Sequence, residues 1–263
     1  MLRLLVVLIH RFLVQLEQQV PVEIVEILRR SEQGMTRPFI CRCDDGKVYF
    51  VKGKDAGRRS QICEWVAGRL AVLMGLPVAP FQQVLVPEDL AEFNVGTPLD
   101  GLGAGLAFGS LERQVTELTI SGIDQVPDSL QQDVLIFDWW VRNADRCLGE
   151  YGGNPNLFWE PGARELVVID HNQAFDPAAE RTDFSEHHVF AAQARQLSGD
   201  FFRRDEYHER LSNALDAWPT ILSEIPNAWW FVDNEQTVPV DFDTRAVEAL
   251  LRGFENDDFW TWT

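Results

Sequence analysis

Three short stretches carry residue types that do chemistry in combination. Asn143-Ala144-Asp145-Arg146 sets an aspartate beside an arginine. Asn154-Pro155-Asn156-Leu157-Phe158-Trp159 sets asparagines ahead of an apolar run, and Val167-Val168-Ile169-Asp170-His171 ends an apolar run on an aspartate. An acid, an amide and a second acid, each at a strand or loop boundary, suit phosphoryl transfer. One carboxylate orients the attacking hydroxyl, while an amide and another carboxylate hold magnesium on the nucleotide phosphates. Taken singly, each stretch has a plainer use. Asp145-Arg146 reads as a structural ion pair at a helix end, Asn154 and Asn156 as turn residues, and Asp170 as a turn cap. Their joint order, with Lys52 upstream, favours the chemical reading.

These groups need rigid elements to hold them. From Asp128 the residues Val134, Leu135, Phe137, Trp139, Trp140 and Val141 predict a helix that is apolar nearly all round, hence central and buried, running into Asn143. Loops held on such elements carry function. Upstream, Val22–Ile27 partly alternates as a half-buried strand does, with a short helix as the alternative. Pro38–Cys43 and Lys47–Lys52 read as strands joined by the tight turn Asp44-Asp45-Gly46, which completes a three-stranded antiparallel meander. Lys52 ends the third strand, either as a surface lysine or as a group reaching phosphate oxygens. The loop Ser31–Thr36, with Gly34, is a candidate for backbone N–H groups over phosphates. It has neither GxGxxG nor Walker spacing.

A helix is expected from about Arg58 to Met74, capped by Gly75 with Pro77 beyond. It carries Glu64, read either as a solvated glutamate or as the partner that holds Lys52. Val78–Val86 reads as a strand, Pro87–Gly105 as a polar connection and Ala107–Val115 as another strand. Helices are expected over Tyr207–Trp218, with Pro219 ending it or opening a new turn, and over Thr244–Phe254, capped by Asp243 or Thr244. The chain therefore divides into an extension over 1–20, a strand-rich lobe over 21–115 with one main helix, and a mainly helical lobe over 116–263. A nucleotide site between two such lobes is a common arrangement.

Composition narrows the function classes. The 263 residues are 46% hydrophobic, which is globular composition with ample core. The formal net charge of -18 repels polyphosphate, so direct nucleic-acid binding is not expected and a nucleotide site needs its own local positive charge. Cys41, Cys43, Cys63 and Cys147 show no CxxC pair and no zinc spacing, and read as free thiols of a reducing cytoplasm. The apolar run Leu4–Ile9 is broken by His10 and Arg11, has no small-residue cleavage site, and is too short to span a bilayer. A packed helix, or an extension preceding the domain proper, is expected there rather than export or a membrane role.

The chain resembles the HipA-like kinases, in the branch with an Asn-x-Asp-Arg, Asn-Pro-Asn-Leu, Ile-Asp-His pattern. Here these are Asn143–Arg146, Asn154–Leu157 and Ile169–His171. Tyr49-Phe50-Val51-Lys52 with Gly57 and Glu64, Leu73-Met74-Gly75-Leu76-Pro77-Val78, and Ala107-Phe108-Gly109-Ser110 also resemble that family, and the likeness covers roughly residues 21 to 175. It implies an α+β, bilobal protein-kinase-like fold, with an antiparallel-sheet N-lobe and a mainly helical C-lobe. By resemblance Lys52 would contact the α- and β-phosphates, Glu64 would orient it, and Gly34 and its neighbours would replace the glycine-rich phosphate loop. Asp145 would be the catalytic carboxylate, with Asn156 and Asp170 as magnesium ligands and Asn154 as the alternative to Asn156. The implied reactants are ATP with Mg2+ and a hydroxyl-bearing acceptor, a protein serine or threonine. A neighbouring regulatory protein and a toxin–antitoxin role fit the same resemblance. The gap from Asp145 to Asn156 is eleven residues, where protein kinases use about five. The insert Cys147–Gly153 thus falls inside the catalytic loop. Two other readings stand beside this one: a pseudokinase that binds nucleotide or partners without turnover, and an enzyme that transfers AMP.

Overall fold

The computed structural model describes residues 20–32, 36–149, 152–197 and 201–262, a mixed α+β chain. The extension over 1–19 and Gly34 lie outside the described residues. The described residues gather into two compact units: one through Trp65 with Ala79–Gln114 and Ile225–Val240, the other Val66–Val78, Val115–Glu224 and Asp241 onward.

The first unit is built on β1 (Val22–Arg30), β2 (Phe39–Cys43) and β3 (Val48–Lys52), the expected antiparallel meander. Gly46 turns the β2–β3 hairpin at φ 76°, and its N–H donates to the Cys43 carbonyl at 2.9 Å. The helix α1 (Arg58–Leu73) follows. Its first part, to Trp65, belongs to this unit, and the rest to the second. Two further strands, β4 (Phe81–Val86) and β5 (Gly105–Leu111), complete a closed barrel in the order β1-β2-β3-β5-β4. The sheet is therefore not wholly antiparallel: β1 and β4 pair in parallel through Val22–Val84 and Glu23–Leu85. A long-range pairing confined to two residue pairs leaves no mark in either strand's own pattern. Ile24, Phe39, Cys41, Cys43, Tyr49, Val51, Val84, Val86, Leu102 and Ala107 fill the barrel. Burial pushes the Cys41 and Cys43 thiols up to about 12, so both stay protonated.

Several expected boundaries move. The strand expected over Val78–Val86 begins only at Phe81, because Pro80 has no N–H to give. The polar connection 87–105 contains a helix, α2 (Glu88–Phe93), whose first-turn Glu88 and Asp89 suit its N-terminal dipole. The strand expected to reach Val115 ends at Leu111. Residues 225–240 return to this unit. There Trp229 donates from Nε1 to the Leu106 carbonyl at 2.8 Å and meets Trp65 edge-on at 6.3 Å.

The second unit opens with β6 (Thr116–Glu117) and α3 (Asp128–Trp140). As expected, α3 is buried along most of its length. Its indoles are satisfied from the C-terminal segment: Trp139 Nε1 donates to the Phe259 carbonyl at 3.0 Å and Trp140 Nε1 to that of Leu251 at 2.7 Å. Next come the hairpin β7 (Cys147–Gly149) and β8 (Gly152–Asn154), then β9 (Leu157–Glu160) and β10 (Glu165–Val168). β10, β9 and β6 form a three-stranded sheet. The helices α4 (Ala194–Leu197), α5 (Phe201–Leu215), α6 (Trp218–Ser223) and α7 (Thr244–Leu251) follow. α5 starts at Phe201 rather than Tyr207, and Pro219 opens α6, where its missing N–H costs nothing. Asp243 caps α7 by accepting from the Arg245 and Ala246 amides at 2.9 and 3.1 Å. The helix ends at Leu251 and a tighter turn carries the chain to Glu255. Among the described residues, no helix is long and apolar enough to cross a membrane.

Candidate active site

In the first unit, Lys52 ends β3, opposite Phe108 of β5. Its ammonium forms an ion pair with Glu64 of α1, and both side chains are buried. Of the two uses read for Glu64, the structure has the paired one. Gln61, one turn earlier, fixes the strand end by donating to the carbonyls of Lys52 and Gly53 at 2.6 and 3.2 Å.

In the second unit the site grows from the end of α3. The Asn143 N–H reaches the Asp138 carbonyl at 2.9 Å, and Arg142 between them has φ 53°. This is the six-to-one closure that ends helices with a left-handed residue, usually glycine. Arginine here carries strain of about 1–3 kcal/mol. Its guanidinium lies 3.5 Å from the centre of the Trp139 ring, a cation–π contact that offsets part of that cost. The reversal turns Asn143 and Arg146 back onto α3 and leaves Asp145 outside.

Asp145 Oδ2 accepts from Asn154 Nδ2 at 3.0 Å and from Asn156 Nδ2 at 3.1 Å. Both candidate amides thus reach the same carboxylate oxygen. Asn154 is exposed on β8, whereas Asn156 is 9% exposed at the head of β9. The β9–β10 register sets Leu157 opposite Val168, so Asn156 and Asp170 stand at the same end of the hairpin. The Ile169 N–H donates to the Asn156 carbonyl at 3.1 Å and closes that end. Asn156 and Asp170 both hold left-handed backbones, at φ 48° and 58°. Such conformations persist where surrounding structure over-determines them, and they concentrate at functional sites. Burial, and then the nearby Asp170 charge, push the Asp145 carboxyl above its ordinary value, with the Asn156 and Asn154 hydrogen bonds opposing.

Arg146 does not pair with Asp145. It is fully buried and donates from Nε to Asp138 Oδ2 at 2.7 Å, while Nη1 donates to the carbonyls of Pro155, Asn156 and Ile169 at 3.0, 2.8 and 3.2 Å. Asp138 also accepts from Asn143 Nδ2 at 3.1 Å and from His188 Nε2 at 3.0 Å. The Arg146 and His188 interactions outweigh burial and hold the Asp138 carboxyl far below the usual carboxylate range. His188 Nδ1 accepts the Phe190 N–H at 3.0 Å, which fixes the neutral tautomer with its proton on Nε2. Burial lowers the His188 pKa in agreement with that geometry. Sequence reasoning missed Asp138 and His188. The available signal was Asp138 as the one acid within the apolar run Val134–Val141, since a buried charge requires a partner.

The described residues of the insert Cys147–Gly153 belong to β7 and β8, paired Cys147–Asn154, Leu148–Gly153 and Gly149–Gly152. An isolated bridge joins Cys147 to His188, and the Val189 N–H donates to the Arg146 carbonyl at 3.0 Å.

The sequence model of a family described as HipA-like kinase matches residues 24–263. No curated protein matches the chain. Among solved structures, the chain is similar to the crystal structure of a Helicobacter pylori proinflammatory kinase, CtkA, at 11% identity and a TM-score of 0.40, over 88% of this chain and 92% of that one.

Proposed function

The chain belongs to the HipA-like kinase family, and from that premise we propose that it transfers the γ-phosphoryl group of ATP, with Mg2+, to a serine or threonine hydroxyl of a protein. The observation that carries this reading is the arrangement around Asp145: a carboxylate that accepts from Asn156, feels the charge of Asp170, and stands outside the buried end of α3.

The donor set suits magnesium. Among the described residues no group of three or more His, Cys, Asp or Glu side chains could hold a metal ion. Magnesium needs no such cage, because one or two carboxylates with phosphate oxygens and water complete its shell. Asp170 and Asn156 offer the hard oxygens. Asn156 is preferred to Asn154 because its carbonyl is tied to Arg146 and to the Ile169 amide, while Asn154 is exposed. When bound, magnesium would neutralise charge on the phosphates.

In the proposed reaction the acceptor oxygen forms a bond to the γ-phosphorus as the bond to the β–γ bridging oxygen breaks, and ADP leaves. Asp145 orients the hydroxyl and takes its proton, a role that a raised carboxyl pKa favours. Lys52, oriented by Glu64, holds the α- and β-phosphates. A bilobal kinase-like arrangement, with Gly34 and its neighbours covering the phosphates, belongs to the same proposal.

The test is transfer from γ-labelled ATP in magnesium, to the protein itself and to candidate acceptors. Wild-type protein should transfer label, and Asp145→Asn and Asp170→Asn should lose transfer while keeping thermal stability. Wild-type turnover in either variant overturns the assignment. Nucleotide binding without transfer would instead identify a pseudokinase, and an acceptor mass gain matching AMP would identify adenylyl transfer.

A further inference from the structure

We infer that Asp138, Arg146 and His188 form a positioning cluster that sets the backbone of both proposed metal-binding residues, Asn156 and Asp170. The inference deepens the phosphotransferase reading and rests on it. The carrying geometry is the reach of one guanidinium. Arg146 Nη1 touches the carbonyl of Asn156 itself, that of Pro155 before it, and that of Ile169, which precedes Asp170. Both strands at that one end of the β9–β10 hairpin are thus held on a single donor group, on the residue that follows Asp145.

Asn156 and Asp170 have positive φ, so neither backbone would keep its conformation without being held. The three carbonyls supply that hold. Asp138 fixes the other edge of the guanidinium through Nε, at 2.7 Å. A buried guanidinium without a carboxylate would be costly, so Asp138 orients Arg146 and also makes it tolerable there. His188 fixes Asp138 in turn. Its neutral ring donates from Nε2 to Asp138 Oδ2, while its Nδ1 is committed to the Phe190 amide. The chain of fixed groups runs His188, Asp138, Arg146, then the two ligand backbones. None of the three touches the reacting atoms, so they are positioning residues and not catalytic ones. Outer-shell partners of this kind set metal affinity as well as stability.

The decisive variant is Arg146→Lys. It keeps the positive charge but has no planar fork, so it cannot serve Asp138 and three carbonyls together. Mn2+ binding is read by electron paramagnetic resonance with a non-hydrolysable ATP analogue present. Analogue binding without metal, and thermal unfolding, are measured on the same samples. The expected result is a rise of about 10- to 100-fold in the Mn2+ dissociation constant, with metal-free analogue binding unchanged. A folded Arg146→Lys protein with wild-type Mn2+ affinity overturns the inference and leaves the arginine a structural role only. Should that variant not fold, His188→Ala and His188→Gln carry the test. Gln can restore the donor to Asp138, so Mn2+ binding weakened in the alanine variant and regained in the glutamine one supports the cluster. Equal binding in both overturns it. Wild-type protein that binds no Mn2+ with the analogue overturns the kinase reading itself, an outcome distinct from equal affinities in wild type and variant.

Discussion

A carboxylate as buried as Asp138 survives only among donors, and the identity of those donors sets a pH dependence. His188 is neutral in the folded protein and its pKa lies below the ordinary histidine value. In the unfolded chain it protonates first as pH falls. Stability from this residue is therefore complete above about pH 6.5 and declines below it, by up to about 1.4 kcal/mol per pH unit, until the folded-state pKa is reached. Asp138 adds a second loss at lower pH, because its folded pKa is depressed and its contribution fades as pH falls below the ordinary aspartate value. His188→Gln keeps a donor for Asp138 and removes the first titration. Urea unfolding between about pH 7 and pH 5 should show a shallower stability loss in this variant than in wild type, with the loss below about pH 4 retained. Identical slopes across the upper range would mean that His188 binds protons equally in the folded and unfolded protein.

At the scale of elements, the barrel depends on a close approach between β4 and β5. A Cβ built on Gly109 would lie 2.3 Å from Val84 Cγ2, and Val84 is fully buried. Gly109→Ala should therefore overpack the barrel and cost about 1–3 kcal/mol, measured by denaturant unfolding. Val84→Ala removes the colliding methyl and leaves a small cavity. The double variant should be more stable than the summed single losses predict, by at least about 0.5 kcal/mol. Strict additivity would mean that the clash is relieved elsewhere. What could be read from the sequence follows similar physical lines. The β1–β2–β3 meander and α1 were legible, because Asp44-Asp45-Gly46 and Gly75 punctuate clear apolar runs. Asp145, Asn156 and Asp170 were legible as residues at element boundaries; Asn156 donates to Asp145, and the Asp170 charge acts on it. The β7–β8 hairpin was not, since three-residue strands with Gly149, Gly152 and Gly153 carry no periodicity. The parallel β1–β4 pair was not, because its two partners are some sixty residues apart. Asp138 was overlooked because one acid scarcely alters the apolar run from Val134 to Val141 in which it sits.

At the scale of the whole molecule, a chain of net charge -18 must assemble its own cationic surroundings to hold a nucleotide. Lys52, Lys54, Arg58 and Arg59 fall within eight residues of the first unit, and Lys54 is fixed to Asn234 Oδ1 at 2.8 Å. In the proposed reaction Lys52 serves the phosphoryl donor, while Asp145, Asn156 and Asp170 serve proton acceptance and metal binding. If these residues serve one reaction, their losses cannot be independent, because groups that act as a unit are far from additive when removed together. Asp145→Asn alone should lower the transfer rate by about 10²- to 10⁴-fold, the scale of a lost general base. Adding Lys52→Met to that variant should cost much less than Lys52→Met costs in the wild type, since little accelerated transfer then remains to be lost. Single-turnover transfer from labelled ATP, measured at saturating nucleotide for the two single variants and the double one, reads this coupling directly. Full multiplication of the two losses would assign Lys52 and Asp145 to separate tasks, and the phosphotransferase reading would lose its support from the first unit.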